Sequence, residues 1–213
     1  MKKILVLATS KGGAGKSTLV RSLSAHYIIS GFKAAVIDAD PQGSIVSRHD
    51  PDGKLQKLYV VAEPEEQVSF LVEDLKKTYS PIIIDTGGFR NRTTIRALVS
   101  ADLAIIPLKP SADDVIAAIE THDLIKEINE TPERAGRPIK YRMILTMTQQ
   151  GTIISKQVRR ELDEMGYLLL KSELFHRVAY PESAINGLSP NITDPDGAAS
   201  RDIASIASEI LKL

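Results

Sequence analysis

The chain has no cysteine. That excludes disulfides, iron–sulfur clusters and thiolate metal sites. It also has no charge surplus: lysine plus arginine and aspartate plus glutamate stand at 27 each, so any contact with a polyanion has to be a local patch. The four histidines, His26, His49, His122 and His176, are scattered, and no pair has metal-ligand spacing. No apolar run approaches the length that spans a bilayer. The chain opens directly on a strand-like run with nothing that reads as a signal peptide, so a cytoplasmic protein is expected. No long linker, internal repeat or low-complexity tract interrupts the 213 residues, and one domain over residues 1–213 is expected, long enough for a sizeable core.

Between the apolar run Ile4-Leu5-Val6-Leu7-Ala8 and a helical pattern carrying Leu19, Val20, Leu23 and Tyr27 lies Ser10-Lys11-Gly12-Gly13-Ala14-Gly15-Lys16-Ser17-Thr18. A strand, a glycine-rich loop and a helix start are the context of a phosphate-binding loop. The loop Gly12-Gly13-Ala14-Gly15 lets successive backbone N–H groups curl around an anion, and the helix N-terminus adds partial positive charge. Lys16 is expected on the β- and γ-phosphates and the Ser17 hydroxyl on Mg²⁺, with Thr18 next to them. Ser10 stands where the usual pattern has glycine, and Lys11 adds a second lysine with no task in its own loop.

Downstream, apolar runs alternate with helical patterns. Ala34 to Ile37 reads as a strand running into Asp38-Ala39-Asp40-Pro41-Gln42-Gly43-Ser44. Residues 45–56 read as loop, with a turn at Asp50-Pro51-Asp52-Gly53. Leu58 to Ala62 is expected as a strand, and Glu63 to Tyr79 as a helix with Val68, Leu71, Val72 and Leu75 at helical spacing. The strand Ile82-Ile83-Ile84-Asp85 is followed by Thr86-Gly87-Gly88. A helix over about 92–100, a strand from Leu103 to Pro107 and a helix over 113–129 come next. Tyr141 to Met147 is expected as a strand, Ile154 to Met165 as a helix stopped by Gly166, and Leu168 to Leu170 as a strand. Phe175 to Pro195 reads as irregular, and residues 197–212 as the last helix. The strands are continuous apolar runs, which predicts an α/β fold with a mostly parallel sheet covered by helices on both faces. Sites in such sheets collect at the carboxyl ends of strands, where Asp38, Asp40 and Asp85 fall.

A carboxylate closing a buried strand beside a phosphate loop can hold Mg²⁺, the role expected of Asp85; taken alone, it would serve equally as a helix N-cap. The paired lysines of the loop and the stretch Asp38-Ala39-Asp40-Pro41-Gln42-Gly43 resemble the deviant Walker A ATPases of the ParA/MinD class. Leu103 to Ser111, Arg177-Val178-Ala179-Tyr180-Pro181-Glu182-Ser183 and Asp196-Gly197-Ala198-Ala199 resemble the small plasmid-partition ATPases of the ParF type, so the resemblance covers most of the chain. Thr86-Gly87-Gly88 departs from the Thr-Pro-Pro more frequent in that class.

The resemblance implies a three-layer P-loop NTPase fold and an ATP- and Mg²⁺-dependent hydrolase, weak until stimulated by a partner. It implies that Asp40 orients the attacking water, that Asp38 sits near the Mg²⁺ shell, and that Lys11 reaches the partner's nucleotide in a homodimer formed on ATP. By family position, Thr146 and Met147, with Phe175 to Arg177, fall near adenine. The implied partners are a small centromere-binding adaptor and non-specific DNA, with no membrane, and the implied place is cytoplasmic and nucleoid-associated. On the helix Ile154 to Met165, Lys156, Arg159 and Arg160 lie opposite the apolar stripe, with Lys140 and Arg142 on the preceding strand; this is a candidate phosphate-backbone patch diluted by Glu161, Asp163 and Glu164. The alternatives are a MinD-like membrane-cycling ATPase, which needs a basic amphipathic last helix where this chain has only Arg201 and Lys212, and a nucleotide-switch scaffold for another cargo.

Overall fold

The computed structural model describes residues 3–87 and 91–213. Gly88, part of the Thr86-Gly87-Gly88 departure, lies outside the described residues.

The apolar runs become β1 (Ile4–Leu7), β2 (Ala35–Ala39), β3 (Tyr59–Ala62), β4 (Ile82–Thr86), β5 (Leu103–Leu108), β6 (Lys140–Thr148) and β7 (Leu174–Phe175). They form one sheet in the order β3-β2-β4-β1-β5-β6-β7, and every pairing is parallel. The helices are α1 (Lys16–Ile29), α2 (Val68–Leu75), α3 (Arg92–Ser100), α4 (Ala112–Asn129), α5 (Ile153–Glu164), α6 (Ala179–Ile185), α7 (Pro190–Thr193) and α8 (Ala198–Leu211).

Because side chains alternate along a strand, each apolar run feeds two cores. Ile4, Val6, Ile37, Ile82, Ile84 and Ile106 pack with Val72, Leu98, Ile125 and Leu162 from α2, α3, α4 and α5. Leu5, Leu7, Val36, Ile83 and Ile105 pack with Leu19, Leu23 and Tyr27 from α1 and with Ile203, Ile206 and Ile210 from α8. A one-residue slip of β1 would exchange these sets, and each buried Leu or Ile is worth about 1.5–3 kcal/mol, so the register is strongly held. That register sets Asp85 beside Leu7 on one side and beside Asp38 on the other.

Three expected elements differ. The helix expected over Glu63 to Tyr79 is only α2, because the segment before it has other partners. The Glu63 N–H donates to the Asp38 carbonyl (2.9 Å), and the Pro64 carbonyl accepts from the Thr93 hydroxyl (2.9 Å). Leu168 to Leu170 makes one bridge, Leu169 to Met143, instead of a strand. The Arg159 guanidinium takes the Leu170 carbonyl at 2.8 Å, diverting the chain until β7 resumes pairing. The segment Phe175 to Pro195 contains α6 and α7. Pro181 and Pro190 fall in their first turns, where a missing N–H costs nothing. The turn between them rests on Gly187 at φ +68, where an added Cβ would stand 1.8 Å from the Arg48 carbonyl oxygen.

Candidate functional site

The loop from Ala8 to Gly15 leaves the carboxyl end of the central strand β1 and turns into α1 without a side-chain cap. Gly13 and Gly15 have φ +73 and +89, a region that L side chains avoid, while an added Cβ on Gly12 or Gly13 would meet nothing within 4 Å. The glycines there serve backbone direction, and the space over them is open. A cleft of about 390 Å³ lies above, lined by Thr9 through Gly13, Gly15 through Thr18, Asp40, Gln42, Gly87 and Met147. Thr146 is fully buried and donates its hydroxyl to the Ala14 carbonyl (2.9 Å), so it supports the loop from beneath. Met147 is 39% exposed at the cleft with φ +52.

The three carboxylates differ. Asp85 is buried, and both its oxygens lack a hydrogen-bond partner among the described residues. Burial pushes its carboxyl up to about 7; the Ser17 hydroxyl and Lys16 oppose the shift, and Asp38 and Asp40 add to it. An orphaned buried carboxylate beside a serine of a phosphate loop fits a divalent cation that draws its other ligands from phosphate and water. Among the described residues no group of three or more His, Asp or Glu could hold a metal by itself. Asp38 is equally buried, but its Oδ2 accepts the N–H groups of Ile45 (2.9 Å) and Val46 (3.0 Å). Its described bonds organise the loop after β2. Asp40 is half-buried and accepts from the Gln42 N–H (2.9 Å). An added Cβ on Gly87 would stand 3.1 Å from Asp40 Oδ1 and 3.0 Å from Pro41 Cδ, so the glycine after Thr86 makes room for this loop.

Sequence reasoning missed Arg21. It is 8% exposed, donates to the Ser44 carbonyl (3.0 Å) and feels the charges of Asp38 and Asp85. Its signal was positional: Arg21 lies one turn after Ser17, on the same side of α1. Ser10, the residue in place of glycine, donates its N–H to Thr121 (3.1 Å) and its hydroxyl toward the Ala117 carbonyl (3.2 Å) and Glu120 (3.1 Å) of α4.

A profile of the CobQ/CobB/MinD/ParA nucleotide binding domain matches residues 5–190. The chain belongs to this family. Among relatives of this CobQ/CobB/MinD/ParA chain, Protein ParA of Rhizobium radiobacter is 28% identical over 182 residues, covering 83% of this chain and 80% of the relative. The maintenance of carboxysome distribution protein A of Halothiobacillus neapolitanus is 24% identical over 97% of this chain and 95% of its own. The chromosome-partitioning ATPase Soj of Treponema pallidum is 23% identical over 99% and 98%. In fold, the chain superposes on the Pyrococcus furiosus cell division ATPase MinD with a TM-score of 0.79 at 17% identity, over 100% and 99% of the two chains. The septum site-determining protein MinD of Pyrococcus horikoshii, complexed with Mg-ADP, gives 0.78 at 16% identity over 99% and 96%.

Outside the cleft, several cations of this ParA/MinD-family chain have structural employment. Arg159 donates to the Leu170 carbonyl (2.8 Å) and to Glu173 (2.9 Å). Arg142 caps the Tyr141 carbonyl (2.7 Å), and Lys140 reaches Leu213 (3.2 Å). Arg177 is clamped by Asp202 at 2.6 and 3.2 Å with its guanidinium over the Phe175 ring, so this candidate base-contacting segment is pinned to α8. Lys156 and Lys171 remain exposed and line a second cavity of about 350 Å³.

Proposed function

We propose that the chain is an ATP- and Mg²⁺-dependent hydrolase that dimerises on ATP and positions DNA through a small centromere-binding adaptor. The observation that carries the reading is the cleft itself: an open glycine loop, with an orphaned buried carboxylate behind it and Asp40 at its rim. Bound ATP supplies the phosphoryl group to be transferred, and Mg²⁺ neutralises its charge. The N–H groups of Gly12 to Gly15 and the Lys16 ammonium hold the phosphates, Ser17 and Asp85 hold the metal, and Asp38 fixes the loop that carries Asp40. Asp40 then accepts a hydrogen bond from the attacking water, and Lys11 serves the nucleotide of a second copy. Thr146 keeps the loop in shape, and Met147 offers its exposed face to the base.

DNA as cargo is supported by the partition relative that spans nearly the full chain. A second cargo is supported by the carboxysome-distribution relative, of equal reach. A membrane role finds less support. The apolar residues Ile203, Ile206, Ala207 and Ile210 of α8 are fully buried against the sheet, and no helix among the described residues is long and apolar enough to cross a bilayer. The test is an Asp40→Ala variant assayed with ATP. It is expected to bind ATP, dimerise and bind DNA, with turnover reduced about 100-fold or more. Turnover within a few-fold of the parent rejects the role of Asp40, and DNA binding equal in ADP and ATP rejects the positioning switch.

A further inference from the structure

Ser10 and Lys11 open the phosphate loop, and both are fastened to α4. Lys11 Nζ lies 2.8 Å from Asp114 Oδ2 and 3.4 Å from Asp113 Oδ2. The two acids differ in kind, since Asp114 is 1% exposed and Asp113 is 83% exposed. Asp114 does not depend on Lys11 for its burial. Its Oδ1 accepts the Lys109 N–H (3.2 Å) and its Oδ2 the Ser111 hydroxyl (2.7 Å), in the first turn of α4 where the helix end favours an anion. Burial pushes its carboxyl up, but Lys11, Ser111 and Lys109 together hold it below the usual range. If Lys11 leaves, the carboxylate stays hydrogen-bonded. Lys11 itself is 34% exposed at the cleft rim and leaves without unpacking any core. The hinge for that departure is also present: Ser10 before Lys11 is fixed on α4, and Gly12 after it faces open space.

We propose that Asp114 is a positioning residue for Lys11, docking it on its own chain until the phosphates of a second copy's nucleotide draw it away. This rests on the reading of Lys11 as a group that acts across a dimer. Asp114 then sets the threshold of assembly. The competent chain is the undocked one, and because both partners must undock, a dock favoured about two to one in each chain weakens apparent dimer affinity about tenfold. The same carboxylate keeps Lys11 from folding back onto its own phosphates, where Lys16 already stands.

The experiment compares Asp114→Asn, Lys11→Ala and the double variant by light scattering with ATP. Asp114→Asn keeps an oxygen for the Lys109 N–H and removes the nearer, buried charge that holds Lys11, leaving only exposed Asp113 at 3.4 Å. Its ATP dimer is expected to be about tenfold tighter, with monomer affinity for ATP unchanged, a gain that mere loss of structure does not produce. The double variant is expected to lose that gain and behave as Lys11→Ala. If Lys11→Ala dimerises normally, the trans reading of Lys11 fails. If Lys11→Ala does not dimerise and Asp114→Asn dimerises no better than the parent, the docking role is overturned while the trans reading stands. Should Asp114→Asn not fold, reductive methylation of the nucleotide-free parent decides. Docked Lys11 is expected to react several-fold more slowly than exposed Lys57, and equal rates overturn the proposal.

Discussion

At the scale of single residues, the chain separates three acids that look alike in sequence. Asp38 and Asp85 face each other across neighbouring strands, yet one is filled by backbone N–H groups and the other is left open. The open one has a cost that depends on pH. Its carboxyl lies near pH 7 in the folded chain against 3.8 ordinarily, so the native state holds a proton that the unfolded chain releases. Stability from this group is therefore present below about pH 4, falls as pH rises toward 7 and is lost above it, a span of roughly 4 kcal/mol at 1.36 kcal/mol per unit. Asp85→Asn is expected to flatten that slope. Urea denaturation without nucleotide should show the variant gaining on the parent between pH 5 and pH 8, while its Mg²⁺-dependent nucleotide binding is lost. A stability difference independent of pH would show that Asp85 is already satisfied in the native chain. Much of the site was legible. The placement of loop, serine and strand-end acids follows from spacing, because each sits within a few residues of an element end, while the roles given to Asp38 and Asp40 came from the family resemblance. Arg21, Asp114 and the burial of Thr146 were not legible, since each depends on a contact from a distant part of the chain: Ser44, Lys11 and Ala14.

At the scale of elements, β1, β2, β4 and β5 were read nearly to their ends because their side chains are buried on both faces, which leaves one apolar run per strand. The misread stretches are those where a side chain competes for the backbone. Arg159 is the clearest case. Its position opposite the apolar stripe of α5 suggested a contact with a polyanion, yet it ties α5 to the segment before β7 through the Leu170 carbonyl and Glu173. Hydrogen bonds to a charged group contribute about 1.5–3 kcal/mol each. Arg159→Ala is expected to destabilise the chain by about 2 kcal/mol and to raise hydrogen exchange around Leu174 and Phe175, with little change in the salt dependence of DNA binding. A large fall in that salt dependence with stability intact would return Arg159 to the DNA patch.

At the scale of the whole molecule, zero net charge means that one protomer offers only a small electropositive area, with Lys156, Arg160 and Lys171 its exposed members near α5. If each protomer of the ATP dimer neutralises about three phosphates, log K for DNA should fall with log salt at a slope near −5, or on the order of 10³-fold between about 50 and 200 mM. Replacing Lys156 and Lys171 by alanine should bring the slope to roughly −2 without altering ATP affinity. An unchanged slope in a fluorescence anisotropy titration would move the patch elsewhere on the surface. The molecule also carries a mechanical commitment in the turn at Gly187. Asp38 holds Ile45 and Val46, the helical turn they begin ends at Arg48, and the Arg48 carbonyl sits where any side chain on residue 187 would be. Gly187 in turn follows α6, which starts just after the clamped Arg177. Along this line each segment rests on the next, so the loop that carries Asp40 is braced from behind by the turn after α6, a buttress whose close fit depends on a residue without a side chain.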